Sequence, residues 1–186
     1  MLLQTPSGKT HLGMTDLHGK VAMITGEWYD PHRQFLANFE KGAQSINKKV
    51  KVSSVAAGSW SDVDKAREAS LALIAGGNDV LVPLLDAAYV GVLAAAQDSK
   101  NVLVVGAVTD CAKVAPTVTV GSVVFNWNEL GYQEAAGKLL DGKSHVLGMK
   151  ENGITVVKNN LLSAAGKAAV DKAISGLKSG ALGVAP

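Results

Sequence analysis

The sequence predicts a doubly wound α/β fold, a parallel sheet held between two layers of helices. Three observations predict it. Short apolar runs recur along the chain, apolar on both faces, as in strands buried on both sides. Between them lie segments whose apolar residues fall at helical spacing. The two kinds alternate regularly, the pattern that builds a parallel sheet covered on both faces. The chain has 186 residues, which suits one domain with a real core, and 47% hydrophobic against 18% charged residues excludes a disordered chain.

The elements follow in order. Residues 1–18 are polar and read as a loose lead-in, and 19–186 as a single lobe. Val21–Ile24 is a buried strand ending at Thr25-Gly26. A helix is expected over 31–46, with Asp30 as N-cap, Pro31 in the first turn, and Phe35, Leu36, Phe39, Ala43 and Ile46 on one face. Val50–Ala56 is the second strand. Ser61 is the expected cap of a helix over 62–75, which stops at Gly76-Gly77. Asp79–Pro83 is the third strand, and a helix over 87–97 follows with Asp86 as its cap. Val102–Gly106 and Val118–Val124 are strands four and five. A helix is expected over Leu130–Leu140, a sixth strand over Ile154–Val157, and a last helix over Ala164–Leu177 closed by Gly180.

Composition removes several function classes. The net charge is +2, so no field draws the chain to nucleic acid or an anionic membrane. Lys48, Lys49 and Lys51 form a tight basic cluster that reads as a solvated turn before a strand. Cys111 is the lone cysteine, which forbids an internal disulfide and reads as a small buried thiol. His11, His18, His32 and His145 lie far apart without metal-ligand spacing. No secretory leader and no membrane-spanning apolar run is visible. The expectation is therefore a cytoplasmic protein if encoded as written, or a piece of a longer one.

In an open parallel sheet, ligands bind outside the carboxyl ends of the strands. Here those ends carry Glu27–Asp30, Gly58–Asp62, Leu84–Asp86, Val108–Asp110 and Phe125–Asn128, and all three tryptophans fall among them. Aromatic faces beside carboxylates suit a flat polar ring. The candidate contacts are Trp28 and Trp127 for stacking, Asp86 and Asp110 as acceptors, and Asn126 to read a polar ring edge. Each has a structural reading too. Asp30, Asp62 and Asp86 stand where helix caps belong, and a loop tryptophan also plugs a sheet edge.

Signals for an enzyme are poor. No G-x-G-x-x-G follows a strand and no G-x-S-x-G elbow is present. A P-loop is not expected. The Gly26-Glu27-Trp28-Tyr29 loop carries a carboxylate where a flavin phosphate would need neutral donors. Clustered acids of the response-regulator kind are missing. No catalytic residue, metal or cofactor is expected.

Several runs then resemble, in order and spacing, the basic membrane protein (Bmp) family of ABC-transporter solute-binding proteins, purine-nucleoside-receptor type. They are Gly19–Gly26, Phe39-Glu40-Lys41-Gly42, Ala57–Asp62 with Lys65-Ala66, Gly77–Val80, Gly106–Asp110 with Pro116, Phe125-Asn126-Trp127, Leu140–Lys143, and Gly148 with Glu151–Gly153. The resemblance covers about residues 19–186 and matches only the second lobe. It implies a type I periplasmic-binding-protein lobe of flavodoxin-like architecture, a purine or nucleoside ligand, an ABC permease partner, and a periplasmic or cell-surface location. Nucleoside-binding relatives often carry an acid at the place of Val108 and a lysine at that of Phe125. The form with Asn-Trp after this strand is similar to purine-base binders.

The absent first lobe leaves three expectations: a fragment, a lobe that pairs with a separate first lobe, or a half that dimerises through Leu130, Ala135 and Leu139. The alternative to ligand binding is a ligand-free interaction or assembly unit on the same scaffold.

Overall fold

A computed structural model describes residues 19–138, 141–143, 145 and 147–183. The lead-in of residues 1–18 and the face residue Leu139 lie outside the described residues. The elements run β1 (Lys20–Thr25), α1 (Asp30–Ile46), β2 (Lys51–Ala56), α2 (Val63–Ala75), β3 (Asn78–Leu84), α3 (Tyr89–Asp98), β4 (Leu103–Val108), β5 (Thr119–Phe125), α4 (Trp127–Ala135), β6 (Ile154–Lys158) and α5 (Ala164–Ser179). They form one six-stranded sheet in the order β2-β1-β3-β4-β5-β6.

β1 through β5 pair in parallel, as expected. β6 does not: it lies antiparallel to β5, with Phe125 opposite Ile154 and Gly121 opposite Lys158. An all-parallel sheet is therefore corrected at its last strand. An antiparallel edge strand on a parallel sheet is common, because a strand reached without a crossover helix returns in the opposite direction. Asn159 fastens the far end of β6, where its side-chain amide donates to the carbonyls of Pro116 (3.1 Å) and Thr119 (2.7 Å).

Both sheet faces are covered. On one, Ala22, Ile24, Leu81 and Val104 pack with Ala66 of α2 and Val92 and Leu93 of α3. On the other, Val21, Met23, Val80 and Val82 meet Phe35, Leu36, Phe39 and Ala43 of α1. The face of α1 is the one its spacing predicts except at its last member: Ile46 ends the helix and is exposed. α2 and α3 pack closely enough that a Cβ at Gly91 would sit 2.1 Å from the Val63 carbonyl oxygen.

The caps differ from expectation in three places. Tyr29 is the extended N-cap residue of α1, and Asp30 stands one place later, in the first turn. Asp62, not Ser61, caps α2, its carboxylate accepting from the Lys65 amide at 3.1 Å. Ser59 takes the amides of Ser61 and Asp62 on its own hydroxyl, which moves the cap one residue on. Asp86 makes no cap: Ala88 holds that position on α3 without a side-chain bond. α4 begins at Trp127 and ends at Ala135, earlier at both ends than expected. α5 ends as expected, on Gly180 at φ 77.

Candidate functional site at the carboxyl rim of the sheet

The rim begins at the β1 and β2 ends. Ala57 and Gly58 donate their amides to the carbonyls of Thr25 (2.7 Å) and Gly26 (2.9 Å), so the two strand ends continue as a pair into their loops. Tyr29 lies parallel to Trp60, with centroids 6.1 Å apart and planes at 10°. His32 packs against the same indole at 4.9 Å. The Tyr29 hydroxyl donates to the Glu27 carboxylate at 2.7 Å. That bond and the negative charge of Glu27 raise the phenol above its ordinary pKa. The Nδ1 of His32 is buried and has no hydrogen-bond partner among the described residues.

Trp28, the residue before Tyr29, turns the other way. It lines a separate cleft of about 340 Å³ with Leu36, Ala37, Glu40 and Ser54, and the Arg33 guanidinium sits 5.4 Å from its ring. The arrangement that puts Trp28 and Trp127 around one ring is not the one observed.

At the β3 end Leu85 is buried and Asp86 exposed. This loop is tied to the first cluster by the Ala88 amide, which donates to the Trp60 carbonyl at 3.1 Å. At the β4 end Val108 has φ 71, and the Thr109 amide donates across it to Ala107 at 2.8 Å. This is a γ-turn with a β-branched residue in the left-handed region, a strain of about 1–3 kcal/mol. Asp110 accepts from the Ala112 amide at 3.1 Å and heads a single 3-10 turn over Cys111–Lys113. The Cys111 thiol is pushed up to about 11 by burial and by the Asp110 charge, so it is an inert packing group.

At the β5 end Trp127 is 61% exposed, edge-on to Phe125 at 5.8 Å. Together with Asn126, Leu130, Leu147 and Ile154 it lines an apolar cleft of about 260 Å³. The Asn126 amide donates to the Asn152 carbonyl at 2.5 Å, and its oxygen accepts a long 3.5 Å contact from Thr155. Asn126 therefore joins the start of α4 to the start of β6.

Of the five expected contacts, the structure brings Asn126 and Trp127 into one cleft. Asp86 and Asp110 stand along the same rim, and Trp28 stands apart. Trp60 follows β2 and Trp127 follows β5, four strand steps or roughly 19 Å apart. Tyr29 and His32 are rim residues that the sequence reading passed over. Their spacing of three at a helix start puts them on one face and was the available signal. No group of acids, histidines and cysteines able to hold a metal occurs among the described residues.

One motif was also overlooked. Residues 137–144 spell Gly-x-x-x-x-Gly-Lys-Ser, the letters of a P-loop. The run follows α4, and the next regular element among the described residues is β6, whereas a phosphate cradle needs a strand before it and a helix after it. The letters therefore lack their structural context.

Five parallel strands and one antiparallel edge strand in the order β2-β1-β3-β4-β5-β6, with helices between them, define a doubly wound α/β lobe. Solved structures share it. A protein described as a transcriptional activator of the comK gene from Bacillus halodurans superposes with TM-score 0.74 at 22% identity, over 88% of this chain and 57% of its own. A solute-binding protein of an ABC transporter system from Aeropyrum pernix K1 gives 0.73 at 15% identity, over 88% and 56%. These likenesses show the type I periplasmic-binding fold.

The chain belongs to the Bmp family, ABC transporter substrate-binding protein PnrA-like, whose model matches residues 14–179. Its members bind solutes and are not enzymes. Basic membrane protein D of Borreliella burgdorferi (strain JD1) is 27% identical over 150 residues, covering 77% of this chain and 44% of that protein. A purine-binding protein of Brucella abortus (strain 2308) is 33% identical over 122 residues, covering 63% and 34%. The chain thus spans less than half the length of these relatives.

Proposed function

We propose that this chain supplies the second-lobe wall of an ABC-transporter substrate-binding protein for a purine base. The observation that carries the reading is Trp127, an indole left 61% exposed at the mouth of an apolar cleft on the rim where such folds bind ligands. A flat heteroaromatic ring stacks on this indole with Phe125 edge-on beside it. Asp86 and Asp110 accept ring or exocyclic N–H groups, and Asn126 holds the cleft floor in place. Val108 and Phe125 offer a sugar no charged or hydrogen-bonding side chain, which favours a free base over a nucleoside. The purine-binding relative from Brucella agrees with this ligand class.

On α4, Trp127, Leu130 and Tyr132 are exposed at 61%, 38% and 62%, and no residue of that helix is buried. Trp127 and Leu130, three residues apart, share one side of α4, and that side is where a first lobe closes over the cleft in the complete receptor, while Tyr132 lies on the opposite side of the helix. The receptor then delivers its ligand to a permease from outside the cytoplasmic membrane. Among the described residues no helix is long and apolar enough to cross a membrane.

The test is calorimetry with adenine, guanine and hypoxanthine and their nucleosides. Base binding that weakens about tenfold in Trp127→Ala is the expected result, since stacking a base on an aromatic ring contributes about 1–3 kcal/mol. Trp28→Ala, in its separate cleft, should leave affinity unchanged. A flat response to every purine, with self-association in light scattering, would replace this reading with an assembly unit.

A further inference from the structure

The strained turn after β4 is held from outside itself. Ser122, in the middle of β5, is 2% exposed, and its hydroxyl reaches two successive residues of the neighbouring loop. It accepts from the Cys111 amide at 3.2 Å and points its proton at the Asp110 carboxylate, a long contact of 3.5 Å. The room it occupies exists because residue 106 is glycine: a Cβ there would sit 2.3 Å from the Ser122 oxygen. Two residues before Asp110 stands Val108, a β-branched residue in the left-handed region. A position of that kind persists only when its surroundings over-determine it. The grip on Asp110 and Cys111 from one side, and the packing of Val108 against the cluster that contains Leu84 and Ala107 from the other, provide that.

We infer that Ser122 is a positioning residue of the ligand rim: its buried hydroxyl holds the Val108–Asp110 turn in its strained form and so sets where Thr109 and Asp110 face the ligand. Ser122 touches no ligand itself. The inference rests on the rim reading proposed above, and its structural half can be tested without any ligand.

The test compares wild type, Ser122→Ala, Val108→Gly and the double variant Val108→Gly/Ser122→Ala. Backbone amide resonances of Thr109 and Asp110 report the turn in the free protein, and calorimetry with adenine reports the rim. In Ser122→Ala both resonances should move, and adenine affinity should fall about tenfold. Glycine adopts positive φ without strain, so in the Val108→Gly background removal of the hydroxyl should weaken binding at most about twofold. Rescue of this kind separates positioning from a general loss of packing. If Ser122→Ala does not fold, Ser122→Cys, which keeps a weak donor and acceptor in place, should show the same changes at smaller size. Unmoved Thr109 and Asp110 resonances, or an equal loss of affinity in both backgrounds, would overturn the inference. If wild type binds no purine, the proposed function fails, and the resonances alone still decide whether Ser122 holds the turn.

Discussion

Gly26 lies directly under the Trp60 indole: a Cβ built on residue 26 would stand 2.4 Å from Cδ2 of the ring. No methyl group fits there without lifting the indole off the β1 strand end. Gly26→Ala should therefore cost about 1–3 kcal/mol of stability, the usual range for overpacking a filled site. Urea unfolding measures this. The ring protons of Tyr29 and His32, which now feel the Trp60 ring current, should shift in the same variant. Unchanged stability with unchanged shifts would mean that the contact is loose.

Asp79 stands at the amino-terminal end of β3, away from the carboxyl rim and against Gly19, with one carboxylate oxygen buried and unpartnered among the described residues. Burial raises its pKa above the ordinary 3.8, although the amides of Asp79 and Lys20 pull the other way. The folded protein thus holds this proton more tightly than the unfolded chain does. Stability from this group is greatest below 3.8 and is lost as pH rises through the folded pKa. Asp79→Asn carries no charge to bury and should be more stable than wild type at neutral pH. The advantage should disappear in acid. Urea midpoints across an acid-to-neutral series would show this, and a gap that does not vary with pH would contradict it.

Asn159 is the fastening of β6. Asn159→Ala removes both donors from the Pro116 and Thr119 carbonyls and leaves the backbone bond from Asn159 to Val120 in place. The expected loss is about 1–2 kcal/mol by urea unfolding. Amide exchange should quicken along β6 more than in β1 or β3, because only the edge strand is loosened.

Much of the fold was legible because its signals are local. The runs around Met23, Leu81 and Val104 are apolar on both faces, and burial on both faces is what they encode. The direction of β6 was not legible, since Ile154–Lys158 reads the same whichever way it pairs. Caps were readable only to within one or two residues: Ser61 and Asp62 are both good caps, and Ser59 decides between them through a hydroxyl contact that no sequence rule weighs.

The rim itself was readable from where the strands end, but the aim of side chains on it was not. Trp28 and Tyr29 are neighbours in the chain, yet one faces Arg33 and the other Trp60. Tyr29 still has extended backbone, with φ -122 and ψ 162, and successive side chains on extended backbone point to opposite sides. Asp110 was the acid without an expected helix to cap, and it turned out to head a single turn too short to leave a periodic trace.

Because β6 runs against β5, the chain departs from the rim at Asn126 and comes back to it at Gly153, and the two are joined by a 2.9 Å amide-to-carbonyl bond. The stretch between them is an excursion with both feet on one spot. Its length and composition are therefore decoupled from the register of the sheet below. Evolution, or a protein engineer, is free to exchange that excursion as a cassette and so reshape one end of the cleft while the scaffold stays as it is.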